Sequence, residues 1–187
     1  MGRRVENRRV GKRGSAGAPS ERLEADRREM TALVAFTARS LETESPRPFG
    51  ASIVDTKTGK PLLRALNTVA QEMDPSCHAE VRAIRKATTK LKKLSLAGYT
   101  LYTTCEPCPM CMSAALWAGV DRVVYGATIE DANRHCRQIR IPATELAARS
   151  DMQCEILGPF LRAECYALFT HPQMLRAFRL WPTRRRK

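Results

Sequence analysis

No window of the 187 residues approaches the eighteen or more apolar side chains in a row that a membrane-crossing helix needs. No apolar segment follows the basic N-terminus either, so neither a helical membrane protein nor a secretory leader is expected. Internal repeats are absent, which argues against solenoids and propellers. An even cysteine count is also lacking. Seven cysteines, three of them within seven positions, suit metal or thiol chemistry in a reducing compartment better than a disulfide framework, and a cytoplasmic protein is expected. What remains is a soluble composition, 43% hydrophobic and 27% charged, long enough for one domain with a real core.

Acidic residues are few where basic ones gather. Residues 1–28 carry nine Lys/Arg against four acids, and residues 176–187 carry six against none. The stretch 29–175 has 17 basic and 15 acidic side chains, so nearly all of the net charge of +13 sits at the two ends. Such ends bind polyanions loosely through counterion release, or are simply solvated; they do not mark a nucleic-acid groove. The expected organisation is a disordered basic tail over residues 1–19, a folded domain over 20–172 and a basic C-terminal tail over 173–187.

Within the domain, Ser20 can cap a helix whose Leu23, Met30, Leu33, Val34, Thr37 and Leu41 share one face. FGASIVDT, the turn TKTG and residues 60–67 read as a hairpin. A helix is expected over 78–94, a strand over 99–103, a helix opening with Pro107 and running to Ala118, and a buried strand over 121–126. Weaker signals predict a strand near 139–141, a helix over 143–149, a strand over 153–157 and a helix over 160–169. Strands alternating with helices point to an α/β protein, a three-layer α/β/α sandwich around a central mixed sheet begun by the hairpin.

The run TTCEPCPMC places cysteines at 105, 108 and 111. A low-potential iron–sulfur loop would want a fourth cysteine at position 115, where the chain has alanine. Zinc fits better. Cys108 and Cys111 are three apart at a helix start, on one face, where the positive end of the helix favours thiolates. Upstream, DPSCHAEVRAIRKA puts His78 at the start of another helix. Two helix ends converging would give one nitrogen and two sulfur ligands with a fourth position open, as in catalytic zinc sites. Glu80, two residues on, can take a proton from a zinc-activated water. A closed site of three cysteines and one histidine, recruiting Cys105 or Cys77, is the alternative at this stage.

The pair H-A-E and P-C-x-x-C is the signature of zinc deaminases. FGASIVDTKTG, LNTVAQEMDPSCHAEVRAIRKA, LYTTCEPCPMCMSAALWAGVDRVVYGA and LRAECYALF resemble the bacterial nucleobase and nucleoside deaminases of the cytidine deaminase superfamily, over about residues 30–170. The resemblance implies a cytidine deaminase-like fold, zinc (Zn2+) held by His78, Cys108 and Cys111, Glu80 as the catalytic proton shuttle, and a homodimer. It further implies hydrolysis of an exocyclic amine on a nucleobase or nucleoside to a carbonyl, with release of ammonia.

For the substrate, Asn67 matches the family's base-binding asparagine, while Phe49 and Trp117 resemble aromatic pocket positions of guanine deaminases and also suit a core. TTCEPCPMC and AALWA look more like guanine deaminases than transfer-RNA adenosine deaminases, so a purine such as guanine is favoured. The acidic stretch of guanine deaminases is replaced here by NRHCRQ at 133–138. The transfer-RNA enzymes' Lys-Thr-Gly-Ala-like turn is replaced by Ile129-Glu130-Asp131-Ala132. The alternatives are a tRNA adenosine deaminase, meeting nucleic acid through the basic tails, and a cytosine or cytidine deaminase. A zinc module without catalysis is opposed by the presence of Glu80.

Overall fold

Alternation of apolar and small residues in GASIVD, followed by a turn, builds the expected hairpin. Strands β1 (Gly50–Asp55) and β2 (Pro61–Leu66) pair antiparallel. Asp55 fixes the turn, its Oδ1 accepting the Thr58 N–H at 2.7 Å and the Thr58 hydroxyl at 2.9 Å, with Gly59 at φ 68°. The computed structural model describes residues 19–180.

Three more strands, β3 (Tyr99–Cys105), β4 (Arg122–Ala127) and β5 (Glu155–Leu157), complete a sheet of order β2-β1-β3-β4-β5. β3 runs antiparallel to β1 and parallel to β4, and β4 parallel to β5. The helices are α1 (Pro19–Ala38), α2 (Val69–Glu72), α3 (Ala79–Leu91), α4 (Pro109–Ala118), α5 (Ile129–Asn133), α6 (Ala143–Ala148), α7 (Arg162–Thr170) and α8 (Pro172–Leu180), with a 3-10 turn at Arg39–Glu42.

Side chains alternate across the sheet, as the pleat demands. Leu101 and Val123 enter one core with Ala83 and Ile84 of α3, Met112 and Leu116 of α4 and Ala143 of α6. Their neighbours Tyr102 and Val124 enter the other, with Met30 and Leu33 of α1 and Cys165 and Phe169 of α7. This is the expected three-layer α/β/α sandwich with a mixed sheet. The approach of α7 to β4 depends on Gly126, where a Cβ would collide with the Cys165 side chain and come within 2.8 Å of the Thr104 carbonyl.

Several expectations need correction. α1 already includes Pro19, so Ser20 lies inside the helix instead of capping it. α4 begins at Pro109 with Cys108 as its N-cap, so Pro107 lies outside it. No strand forms at 139–141; Ile139 is exposed, and the Ile-Arg-Ile alternation that suggested a strand finds no neighbour to pair with. α8 occupies residues 172–180, where a tail was expected, because Met174 is fully buried against Leu41 and Leu168. The expected N-terminal tail at 1–19, apart from Pro19, lies outside the described residues, as does the last stretch of the C-terminal one.

Buried carboxylates pin helices to the sheet and to each other, among them Asp26 of α1, which meets Arg122 of β4, and Asp131 of α5, which meets Arg162 of α7. Asp131 accepts both the Nε (2.7 Å) and a terminal nitrogen (2.7 Å) of Arg162, and closes a capping box with Thr128. Arg162, the largest influence, holds the Asp131 carboxyl below the usual carboxylate range. A carboxylate with a depressed folded pKa stabilises above the unfolded value, about 3.9, and that stability is lost as the pH falls below it. Asp131→Asn is therefore expected to lower stability at pH 7 and to flatten its decline below about pH 4, as read by urea unfolding of both proteins across that range.

Candidate active site

The loop entering α3 is tied down before the helix begins. Asp74 Oδ1 accepts the Ser76 N–H and hydroxyl, both at 2.7 Å, and the Cys77 carbonyl accepts the Thr68 N–H at 3.0 Å. His78 follows as the N-cap of α3 in extended backbone (φ −64°, ψ 153°). From the other side, β3 delivers the chain to Cys108, the N-cap of α4 in similar backbone (φ −63°, ψ 166°), with Pro109 opening the helix. Neither cap residue's side chain makes a capping hydrogen bond. Both are free to face a common point.

They do so. His78, Cys108 and Cys111 form the one cluster among the described residues whose donor atoms could share a metal ion. Cys108 Sγ and Cys111 Sγ lie 3.6 and 3.5 Å from His78 Nδ1. Tetrahedral zinc, with Zn–S about 2.3 Å and Zn–N about 2.0–2.1 Å, sets sulfur and nitrogen ligands about 3.5 Å apart. The donor set thus fits zinc in both chemistry and spacing. Cys108 is held down to about 4, first by the hydrogen bond from Cys111 and further by His78 beside it. Cys108 in turn raises the His78 imidazole.

The two spare cysteines point elsewhere. The Cys77 thiol donates to Glu72 at 3.1 Å and Asp74 at 3.4 Å, and these carboxylates, with burial, push it up to about 11. Cys105 donates to the Thr128 carbonyl at 3.7 Å. Neither belongs to the metal cluster, so the closed alternative with a third cysteine does not form. Cys105 ends β3, and at that strand end its side chain joins the α1/α7 core.

Glu80, in the first turn of α3, is 5% exposed. Burial pushes its carboxyl up to about 7, with His78 nearby opposing the rise and Cys111 in hydrogen-bonding contact. A buried carboxylate therefore stands beside the three donors.

Of the pocket residues read from sequence, two are brought together. Asn67 follows β2, its N–H donating to the Phe49 carbonyl at 3.1 Å, and the next residue bonds the chain just before His78. Asn67 Oδ1 accepts the Val69 N–H at 3.1 Å, making the turn, while its amide nitrogen has no partner among the described residues. Phe49 is half-buried and packs edge-on to Phe169 at 5.2 Å. Trp117 is different. It stands 80% exposed near the end of α4, nine residues or roughly 13 Å of helix from Cys108, in neither the core nor this pocket. Sequence reasoning missed Glu106, whose buried carboxylate lies two residues from Cys108; the one signal was a charge inside an otherwise buried run.

A mixed sheet sandwiched by helices, with a one-nitrogen, two-sulfur seat at two helix starts and a buried glutamate beside it, defines a zinc-binding α/β domain. The chain belongs to the cytidine and deoxycytidylate deaminase zinc-binding family, whose model matches residues 23–127. It is 48% identical over 85 residues to a guanine deaminase of Bacillus subtilis, a match spanning 46% of this chain and 53% of that protein, about half its length. It is 34% identical over 128 residues to a tRNA-specific adenosine deaminase of the same organism, covering 68% of this chain and 76% of the other. In fold it is similar to a guanine deaminase from Nitrosomonas europaea, with a TM-score of 0.68 at 21% identity over 92% of this chain and 99% of that one.

Proposed function

We propose that this protein is a zinc-dependent hydrolytic deaminase that converts the exocyclic amine of a purine base or nucleoside, guanine foremost, to a carbonyl with release of ammonia. The observation that carries the reading is the three-donor seat with Glu80 buried beside it. His78, Cys108 and Cys111 would hold the ion; when bound, zinc lowers the pKa of a water from about 15.7 towards 7. Glu80 takes the proton of the attacking water and delivers it to the ring nitrogen beside the carbon under attack. It then assists departure of ammonia. The free amide nitrogen of Asn67 orients the ring edge, and Phe49 supports the wall behind it.

A second reading, deamination of adenosine within tRNA, is favoured by one observation. Arg134, Arg137, Arg140, Arg176 and Arg179 are all exposed, and none pairs with a carboxylate among the described residues. The rings of His135 and Phe178, 5.5 Å apart, bring the two arginine-bearing segments together.

No described helix is long and apolar enough to cross a membrane. All seven cysteines are free, which supports the cytoplasmic placement within this proposal. A homodimer also remains part of it, to be checked by light scattering.

The deciding experiment measures ammonia release by the zinc-loaded protein from guanine, adenine, cytosine, their nucleosides and tRNA. Turnover greatest on guanine or guanosine is expected. Silence across the panel with one zinc per chain would show a binding module, and turnover on tRNA alone would establish the second reading.

A further inference from the structure

Glu106 is 8% exposed and meets no lysine, arginine or histidine in an ion pair among the described residues. Its main-chain N–H donates to the Ala127 carbonyl at 2.7 Å, at the end of β4. Its side chain then makes two long-range bonds. Oε2 accepts the N–H of Ile129 at 3.1 Å, and Oε1 accepts the N–H of Ala143 at 3.0 Å. These amides open α5 and α6, so both stems of the intervening loop rest on one carboxylate. Capping alone does not account for the arrangement, because α5 already has its own capping box from Thr128 and Asp131. Charge-assisted bonds of this kind are about twice as strong as neutral ones.

What the carboxylate restrains is the approach to Cys108. Cys111 lies within α4 and is held by the helix ladder, whereas Cys108 is the N-cap, outside it. Only Pro107, with its φ restricted by the ring, separates Glu106 from Cys108. We infer that Glu106 is a positioning residue of the metal centre: by gripping the amides of Ile129 and Ala143 it fixes the 105–108 turn and thereby the Cys108 thiolate opposite His78. The inference concerns metal seating and holds whichever base is the substrate.

Glu106→Gln keeps the size and one acceptor but turns an NH2 towards an N–H. Zinc affinity, read by chelator competition, is expected to fall about 10–100-fold, the usual effect of losing a group that supports a ligand. The visible absorption of the cobalt-substituted protein should shift as the Cys108 sulfur moves. Thr128→Ala removes the α5 cap hydroxyl but keeps the Thr128 carbonyl that Cys105 meets and both Glu106 acceptor bonds; it should lower the melting temperature while leaving zinc affinity within about twofold. Unchanged affinity and an unchanged cobalt spectrum in Glu106→Gln, with only a lower melting temperature, would reduce Glu106 to a helix cap and overturn the inference. Should that variant not fold, Glu106→Asp, which keeps the charge but is one methylene shorter, decides by the same two readings.

Discussion

Glu80→Gln is expected to hold one zinc per chain and to lose turnover by about 10²–10⁴-fold, the range that a positioned general acid–base supplies. Glutamine matches the shape of the buried side chain but cannot accept and return a proton. Cys108→Ala should behave differently, losing metal and activity together, since it removes one of three donors. Metal analysis beside ammonia release separates the two. Deamination near the wild-type rate in the glutamine variant would remove Glu80 from the chemistry.

The second large effect lies at the other end of the strands. Asp26 of α1, 1% exposed, accepts two bonds from Arg122 of β4 at 2.6 and 2.7 Å and one from the Tyr102 hydroxyl at 2.6 Å. Burial and then Asp26 raise the Tyr102 hydroxyl well above its usual range, so Tyr102 stays a donor. Asp26→Ala leaves the Arg122 guanidinium in a buried place with only Glu155, itself half-exposed, at 2.9 Å. Removing one partner of a buried pair costs about 3–5 kcal/mol. The denaturation midpoint of the zinc-loaded protein should fall accordingly, while zinc affinity stays unchanged. Replacing Arg122 by methionine in the same chain should recover part of the loss. A loss below about 1 kcal/mol would mean that the pair is solvated in practice.

The metal centre was legible because the relation of a helix cap to the first turn behind it is a local property. His78 with Glu80, and Cys108 with Cys111, keep their relation wherever their helices are placed. Cys77 and Cys105 were not legible. Each direction depends on a partner that ligand spacing does not reveal: Glu72 and Asp74 in the loop just before Cys77 for one, the distant Thr128 carbonyl for the other. The sandwich followed from strands alternating with helices along the chain, and β3 and β4 are buried on both faces as that arrangement demands. The helix at α8 escaped notice because its basic composition masked the single buried methionine that docks it. Trp117 escaped for the reverse reason: α4 is apolar almost all round, so periodicity could not say which face meets solvent. Glu106 is a tertiary fact, since nothing near it in the chain announces Ile129 and Ala143.

The three donors that could share a metal ion come from segments before and after β3, which runs between β1 and β4 in the sheet. His78 precedes that strand and the two thiolates follow it, so a nascent chain has no place for the ion until the strand has slotted into its neighbours. Metal capture is thus expected late in folding, with the rate of zinc uptake following assembly of the sheet's middle.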